Sequence, residues 1–140
     1  MKEIVTISFS SKSVNTRLAR AVIRSFLTNR NLPDEAIWDT ELGVNEALTN
    51  IIRHTYKNDE RRYITMTLIW NELEKELQIL LRDFGEPIDA TVMIPKVPSP
   101  EREGGFGLYI IHKIFDTVEL KNLENGNLLK LIKVFEEWSR

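Results

Sequence analysis

Strict alternation over Tyr63–Trp70 constrains this chain more than any other feature. Ile64, Met66, Leu68 and Trp70 fall on one side, and after the polar turn NELEKE a second run, Glu76–Asp83, repeats the pattern with Leu77, Ile79 and Leu81 in phase. Successive strand side chains point to opposite faces, so each run is a strand with one apolar face. Strands joined by so short a turn pair antiparallel. Their common apolar face needs a second layer over it. The remaining segments supply that layer and widen the sheet. Ile4–Phe9 alternates as a further strand, with Val5, Ile7 and Phe9 together. SVNTRLARAVIRSFLTNR carries Leu18, Val22 and Phe26 four residues apart, which predicts an amphipathic helix with Ser13 as its N-cap. Pro33 suits the first turn of a second helix, predicted over Asp34–Tyr56. A short apolar helix is predicted from about Phe106. Two last strands, Val118–Leu123 and Leu128–Val134, flank the hairpin signal Asn125-Gly126. The order β-α-α-β-β-loop-α-β-β predicts an α+β, two-layer α/β sandwich: a mixed, mostly antiparallel sheet with helices on one face.

A chain of 140 residues suits one domain spanning 1–140, and an apolar fraction of 42% is enough for a core. The net charge of −2 offers no broad basic field to nucleic acid. Without cysteine, neither a disulfide framework nor a thiolate metal site can form, which fits a reducing compartment. No apolar run reaches the roughly 20 residues that cross a bilayer. The opening MKEIVTISFS alternates and lacks the apolar stretch of a secretory signal. The expectation is a soluble, cytoplasmic domain with no membrane partner.

Three stretches carry possible chemistry. In ELGVNEALTNIIRHTY, Glu46, Asn50 and His54 recur every four residues. A step of four advances about 40° around an ideal helix, so they form a stripe beside the apolar arc of Ile37, Val44, Leu48, Ile51 and Ile52. Such a border can line a cleft, but polar flanks are also what any amphipathic helix has. Asp83 lies in phase with Leu77, Ile79 and Leu81, hence on the core side. A carboxylate there needs a donor, and an ionised one accepts only, so it can select an amino group such as that of adenine. Gly85, two residues on, leaves room for a planar ligand. The alternative is an aspartate that turns to water or caps the next turn. From Gly85 to Glu103 regular patterning stops, and this long loop holds Pro87, Pro95, Pro98 and Pro100, four of the five prolines. EGGFGLYII then sets Gly104, Gly105 and Gly107 at the start of the apolar helix. Close backbone approach at a helix N-terminus makes an anion site, for which phosphate is the natural candidate. The pattern is neither a Walker A loop nor a dinucleotide fingerprint; a hinge or tight turn is the other reading.

Taken in order, NEALTNIIRHTY, LRDFGEP and GGFGLYII resemble the N, G1 and G2 boxes of the GHKL ATPase superfamily. More narrowly they are similar to the stand-alone anti-sigma factor serine kinases. The pattern E-A-x-T-N-x-x-x-H-x-Y is met at Glu46, Ala47, Thr49, Asn50, His54 and Tyr56. The resemblance implies the Bergerat ATP-binding fold, with ATP and Mg²⁺ as cofactors. Glu46 would be the general base, and Asn50 the magnesium ligand. Asp83 would take the adenine amine with Gly85 beside it. Gly105, Phe106, Gly107 and Leu108 would lie against the phosphates, with His54 supporting and residues 85–103 as the ATP lid. Lys96 and Arg102 are lid cations that could reach the terminal phosphate. Arg20, in LARAV, matches a position used for partner contact. Pro87 stands where many members carry a second glycine, a departure that related short members share. A length of 140 leaves no room for the phosphoacceptor hairpin of a sensor kinase or for a transducer domain. The target serine is therefore expected on another protein. The implied function is a protein serine kinase that phosphorylates an anti-sigma factor antagonist and binds a sigma factor, as a homodimer. The alternatives are an ATP-gated binding switch without phosphotransfer and a domain that only sequesters a partner.

Overall fold

The computed structural model describes residues 2–89, 91 and 106–136, and of Phe106 the backbone alone. Its sheet has five strands: β1 (Lys2–Ser10), β2 (Tyr63–Asn71), β3 (Glu76–Asp83), β4 (Thr117–Leu123) and β5 (Gly126–Val134). Their order is β1-β2-β3-β5-β4, and every pairing is antiparallel. The mixed character expected from the sequence is thus absent among the described strands. Alternation does what it predicts: Ile64, Met66, Leu68, Trp70, Leu77, Ile79 and Leu81 are all buried. The other face carries small polar pairs, with Thr6 and Thr67 hydroxyls 3.1 Å apart and Ser8 and Thr65 hydroxyls 2.8 Å apart.

Helices α1 (Asn15–Leu27), α2 (Asp34–Asn50) and α3 (Phe106–Ile114) cover the apolar face. Each fully buried Leu or Ile contributes about 1.5–3 kcal/mol, so this shared core is the main source of stability. Polar clamps fix the helices in place. The Arg24 guanidinium on α1 donates to Glu41 Oε2 at 2.6 Å and Asp34 Oδ1 at 2.8 Å on α2. Beyond α1, Arg30 lies over the Phe26 and Trp70 rings, at 4.6 and 5.3 Å, and pairs with Glu3 on β1 at 3.1 Å.

Three expectations change. The buried row of α1 is Thr16, Ala19, Ile23 and Leu27, whereas Leu18 is 50% exposed and Val22 and Phe26 only pack against the core. Ala19, Ile23 and Leu27 are all fully buried, so this row is the one turned to the core. Ser13 does not cap α1 with its side chain; its carbonyl instead accepts from the Thr16 hydroxyl at 2.8 Å. Finally, the helix predicted over Asp34–Tyr56 is α only to Asn50. Ile51–Thr55 forms a π turn, in which the Tyr56 N–H reaches back five residues to Ile51 O at 2.9 Å. Such widened turns recur at functional sites.

Candidate nucleotide site

Glu46 and Asn50 are half-buried on the last turns of α2. The first turn of α3 comes down onto them at Gly107. A Cβ on Gly107 would lie 2.9 Å from Glu46 Oε2 and 3.8 Å from Asn50 Oδ1. A side chain at Gly107 would have to displace the Glu46 carboxylate from this position. The same turn brings the positive end of α3 to Glu46, a favourable position for an acid. The row on the long helix and the glycine helix, far apart in sequence, therefore meet.

Asp83 ends β3 on the core side, 2% exposed. Its Oδ1 accepts the Gly85 N–H at 3.0 Å and the Asn127 Nδ2 at 3.0 Å. Among the described residues, both bonds to this carboxylate fall on Oδ1. The following turn is held by Tyr56. Its hydroxyl donates to Tyr63 O at 2.5 Å and accepts the Phe84 N–H at 2.7 Å. Burial, acting against the phenolate, pushes the Tyr56 hydroxyl above its ordinary range. Arg62 lies 4.8 Å over the Tyr56 ring and donates to Phe84 O at 2.6 Å, so Phe84 is tied at both backbone groups.

Gly85 has a reason the sequence did not show. A Cβ there would overlap the Thr55 methyl and lie 3.3 Å from Tyr56 Cε1. The space is taken by the end of the helix, so the glycine serves packing first. One continuous helical element thus touches both halves of the site: Glu46 and Asn50 face Gly107, and Thr55 and Tyr56 face Gly85 beside Asp83.

The other predicted residues are distributed as follows. His54 is exposed on the π turn. Leu108 packs against the core from α3, and Phe106 opens that helix. Gly105, with Gly104, Lys96, Arg102 and most of the 85–103 loop, lies outside the described residues. Arg20 is half-buried on α1, and its Nε is buried with no hydrogen-bond partner among the described residues. A separate polar cleft of about 160 Å³, lined by Ser13, Thr16, Asn45, Thr49, Ile52 and Arg53, lies between α1 and the other flank of α2. Sequence reasoning missed Asn127, which follows Asn125-Gly126 and reads as turn chemistry, and Asn122, which nothing local marks. Among the described residues no three His, Asp or Glu side chains gather to hold a metal.

The model of the histidine kinase-like ATPase domain matches residues 9–133. The chain belongs to this family. Membership in an ATPase family carries the use of ATP. The chain is 28% identical over 128 residues to the serine-protein kinase RsbW of Oceanobacillus iheyensis, covering 86% of this chain and 79% of that protein. It is 30% identical over 124 residues to the anti-sigma F factor of the same organism, covering 86% and 84%. Among solved structures it is similar to the RsbU and RsbW domains of a Mycobacterium tuberculosis protein, with a TM-score of 0.68 at 15% identity over 95% of this chain and 32% of that one. It also resembles the histidine kinase domain of the Erythrobacter litoralis blue-light activated histidine kinase, with a TM-score of 0.59 at 14% identity over 91% and 62%. At those identities the structural likeness is one of fold: a five-stranded antiparallel sheet under three helices. No helix among the described residues is long and apolar enough to cross a membrane.

Proposed function

We propose that this histidine kinase-like ATPase is a protein serine kinase of a partner-switching system, transferring the γ-phosphoryl group of Mg-ATP to a serine of an anti-sigma factor antagonist. The observation that supports the reading is the approach of Gly107 to Glu46 and Asn50, which brings a carboxylate, an amide oxygen and a helix N-terminus side by side. Glu46 takes the proton of the acceptor hydroxyl as its oxygen bonds to the γ-phosphorus. The bond from that phosphorus to the β–γ bridging oxygen breaks, and ADP leaves. Phosphoryl transfer rests on positioning and charge neutralisation, which this arrangement supplies. Asn50 Oδ1 fits Mg²⁺, a hard ion that takes few protein ligands and keeps several waters. When bound, that ion neutralises charge on the phosphates. Asp83 receives the adenine amine, with Gly85 beside it. The same reading assigns phosphate contact to Gly105, Phe106, Gly107 and Leu108, a supporting role to His54, and the role of ATP lid to residues 85–103. Arg20, half-buried on α1, is the partner-contact residue, the partner being either the antagonist or a sigma factor. Homodimerisation through β1 and α1 belongs to the same reading, since β1 is an edge strand.

The test uses labelled ATP and a candidate antagonist. Glu46→Ala should bind Mg-ATP as the wild type does and transfer nothing. Asn50→Ala should weaken Mg-ATP binding itself. Full transfer by Glu46→Ala would remove the base assignment. Binding without transfer by the wild type would leave an ATP-gated switch.

A further inference from the structure

We propose that Asn127 is a positioning residue that sets the base specificity of the nucleotide site and ties it to the root of the loop that follows β3. The inference rests on the ATP reading above and deepens it.

Asn127 is fully buried on β5, directly across from Asp83 on β3. A buried carboxamide is costly unless its groups are bonded, and this one is bonded at every group. Its Nδ2 donates to Asp83 Oδ1 at 3.0 Å and to Glu86 O at 2.8 Å. Its Oδ1 accepts the Ile88 N–H at 3.1 Å and Asn122 Nδ2 at 2.8 Å. Asn122, across from it on β4, donates also to Ile88 O at 3.0 Å. Two asparagines of one hairpin thereby stitch the chain leaving β3 to the β4–β5 hairpin.

The same amide fixes the direction of the carboxylate. Asp83 Oδ1 receives two N–H donors, from Gly85 and Asn127, and with that oxygen pinned the group cannot rotate. Oδ2 is then held as the acceptor that meets the base. An amide nitrogen only donates, so Asn127 occupies one carboxylate oxygen, fixes the plane of the group and leaves the other oxygen to accept. Adenine brings an amine to that oxygen. Hypoxanthine brings a carbonyl to the same place, and two acceptors would face each other. A site built around such a bond rejects the analogue lacking it far more strongly than an apolar pocket could.

The test titrates Mg-ATP and Mg-ITP into the full chain by calorimetry. Wild type should bind ATP at least about 100-fold more tightly than ITP. In Asn127→Ala the ratio should fall about tenfold or more, through loss of ATP affinity, with ITP affinity held within about twofold. Asn127→Ser keeps a polar group at the position but removes the amide nitrogen that bonds Asp83. It should show the same fall and serves if the alanine variant does not fold. Leu129→Ala, a buried apolar neighbour on β5, is the control for lost stability and should leave the ratio unchanged. A ratio within about twofold of wild type in both Asn127 variants, or a parallel fall of both affinities, overturns the inference while leaving the ATP reading standing. Equal binding of ATP and ITP by the wild type does the same. A wild type that binds neither nucleotide overturns the ATP reading and this inference with it.

Discussion

Replacing Gly126 by alanine should damage the fold and the site together, because one backbone crossing serves both. Gly126 opens β5 at φ +140°. That region is essentially restricted to glycine, and entering it with a side chain costs about 1–3 kcal/mol. Space is the second cost. A Cβ would lie 2.8 Å from Asp83 C and 2.8 Å from Phe84 Cα, and closer still to Asp83 O. All three are backbone atoms, so no rotamer change relieves the overlap; the strands must part. Overpacking of this kind costs about 1–3 kcal/mol. The two together predict a loss of about 4 kcal/mol. For a chain of this size each kcal/mol lowers Tm by roughly 3–4 °C, so the melt should fall by roughly 12–16 °C. Urea unfolding gives the free energy and calorimetric melting gives Tm. Because the strain falls on Asp83 and Phe84, Mg-ATP affinity at a temperature where the variant is folded should fall too. A variant melting within about 2 °C of wild type would refute the steric argument. A destabilised variant with wild-type ATP affinity would refute the claim that the hairpin and the nucleotide site share this crossing.

The remaining predictions probe the joints around that crossing. Tyr56→Phe removes the bond to Tyr63 O and leaves the Phe84 N–H unpaired, and should cost about 1–3 kcal/mol by urea unfolding. The raised Tyr56 hydroxyl adds a sign: its contribution is intact below pH 10.0, the ordinary value, and is lost as pH rises through the folded one. Wild type should therefore show an alkaline fall in stability that Tyr56→Phe lacks. Gly85→Ala should destabilise by about 1–3 kcal/mol through the Thr55 methyl, and adding Thr55→Ala should recover most of that in a double-mutant cycle. On the acid side, hydrogen bonds from Arg30 and Lys75 hold Glu3 and Glu72 below their ordinary value of 4.5. Their contribution is present above that value and lost as pH falls below it. Both are exposed, so the effect on the urea midpoint should be small and should shrink with salt.

How far the sequence foretold this structure depends on what kind of information each element needs. Strands β2 and β3 were legible because alternation is a local property, and the same alternation placed Asp83 on the core side. The rotation of α1 was not, since Leu18-Val22-Phe26 and Ala19-Ile23-Leu27 are adjacent apolar rows of equal length. Only contact with the sheet chooses the row with the small Ala19. The π turn was invisible for a similar reason. Ile51–Thr55 shows no breaker, yet the chain widens there where Thr55 meets Gly85. Glu46 and Asn50 stood out by spacing, but their meeting with Gly107 is tertiary. Asn127 gave no local signal, because its four bonds reach residues from Asp83 to Asn122.

The joints of the site share a design that bears on how it would respond to its ligand. At each one a glycine backbone lies against a side chain of the α2–π element: Gly107 against Glu46, Gly85 against Thr55. Such contacts fix position without adding much apolar area, so each joint contributes specificity more than stability. A nucleotide reaching from Asp83 to Gly107 would span both joints and bind only when they are aligned. Its binding energy is then folding energy for this region, worth about 2.7 kcal/mol at a ligand concentration of 100 times Kd. The stabilisation should therefore appear first as slowed amide exchange at Phe84, Gly85 and the first turn of α3, and only weakly at β1 and β2. Uniform protection over the whole sheet would mean that the ligand reports on global unfolding and that the joints do not move independently.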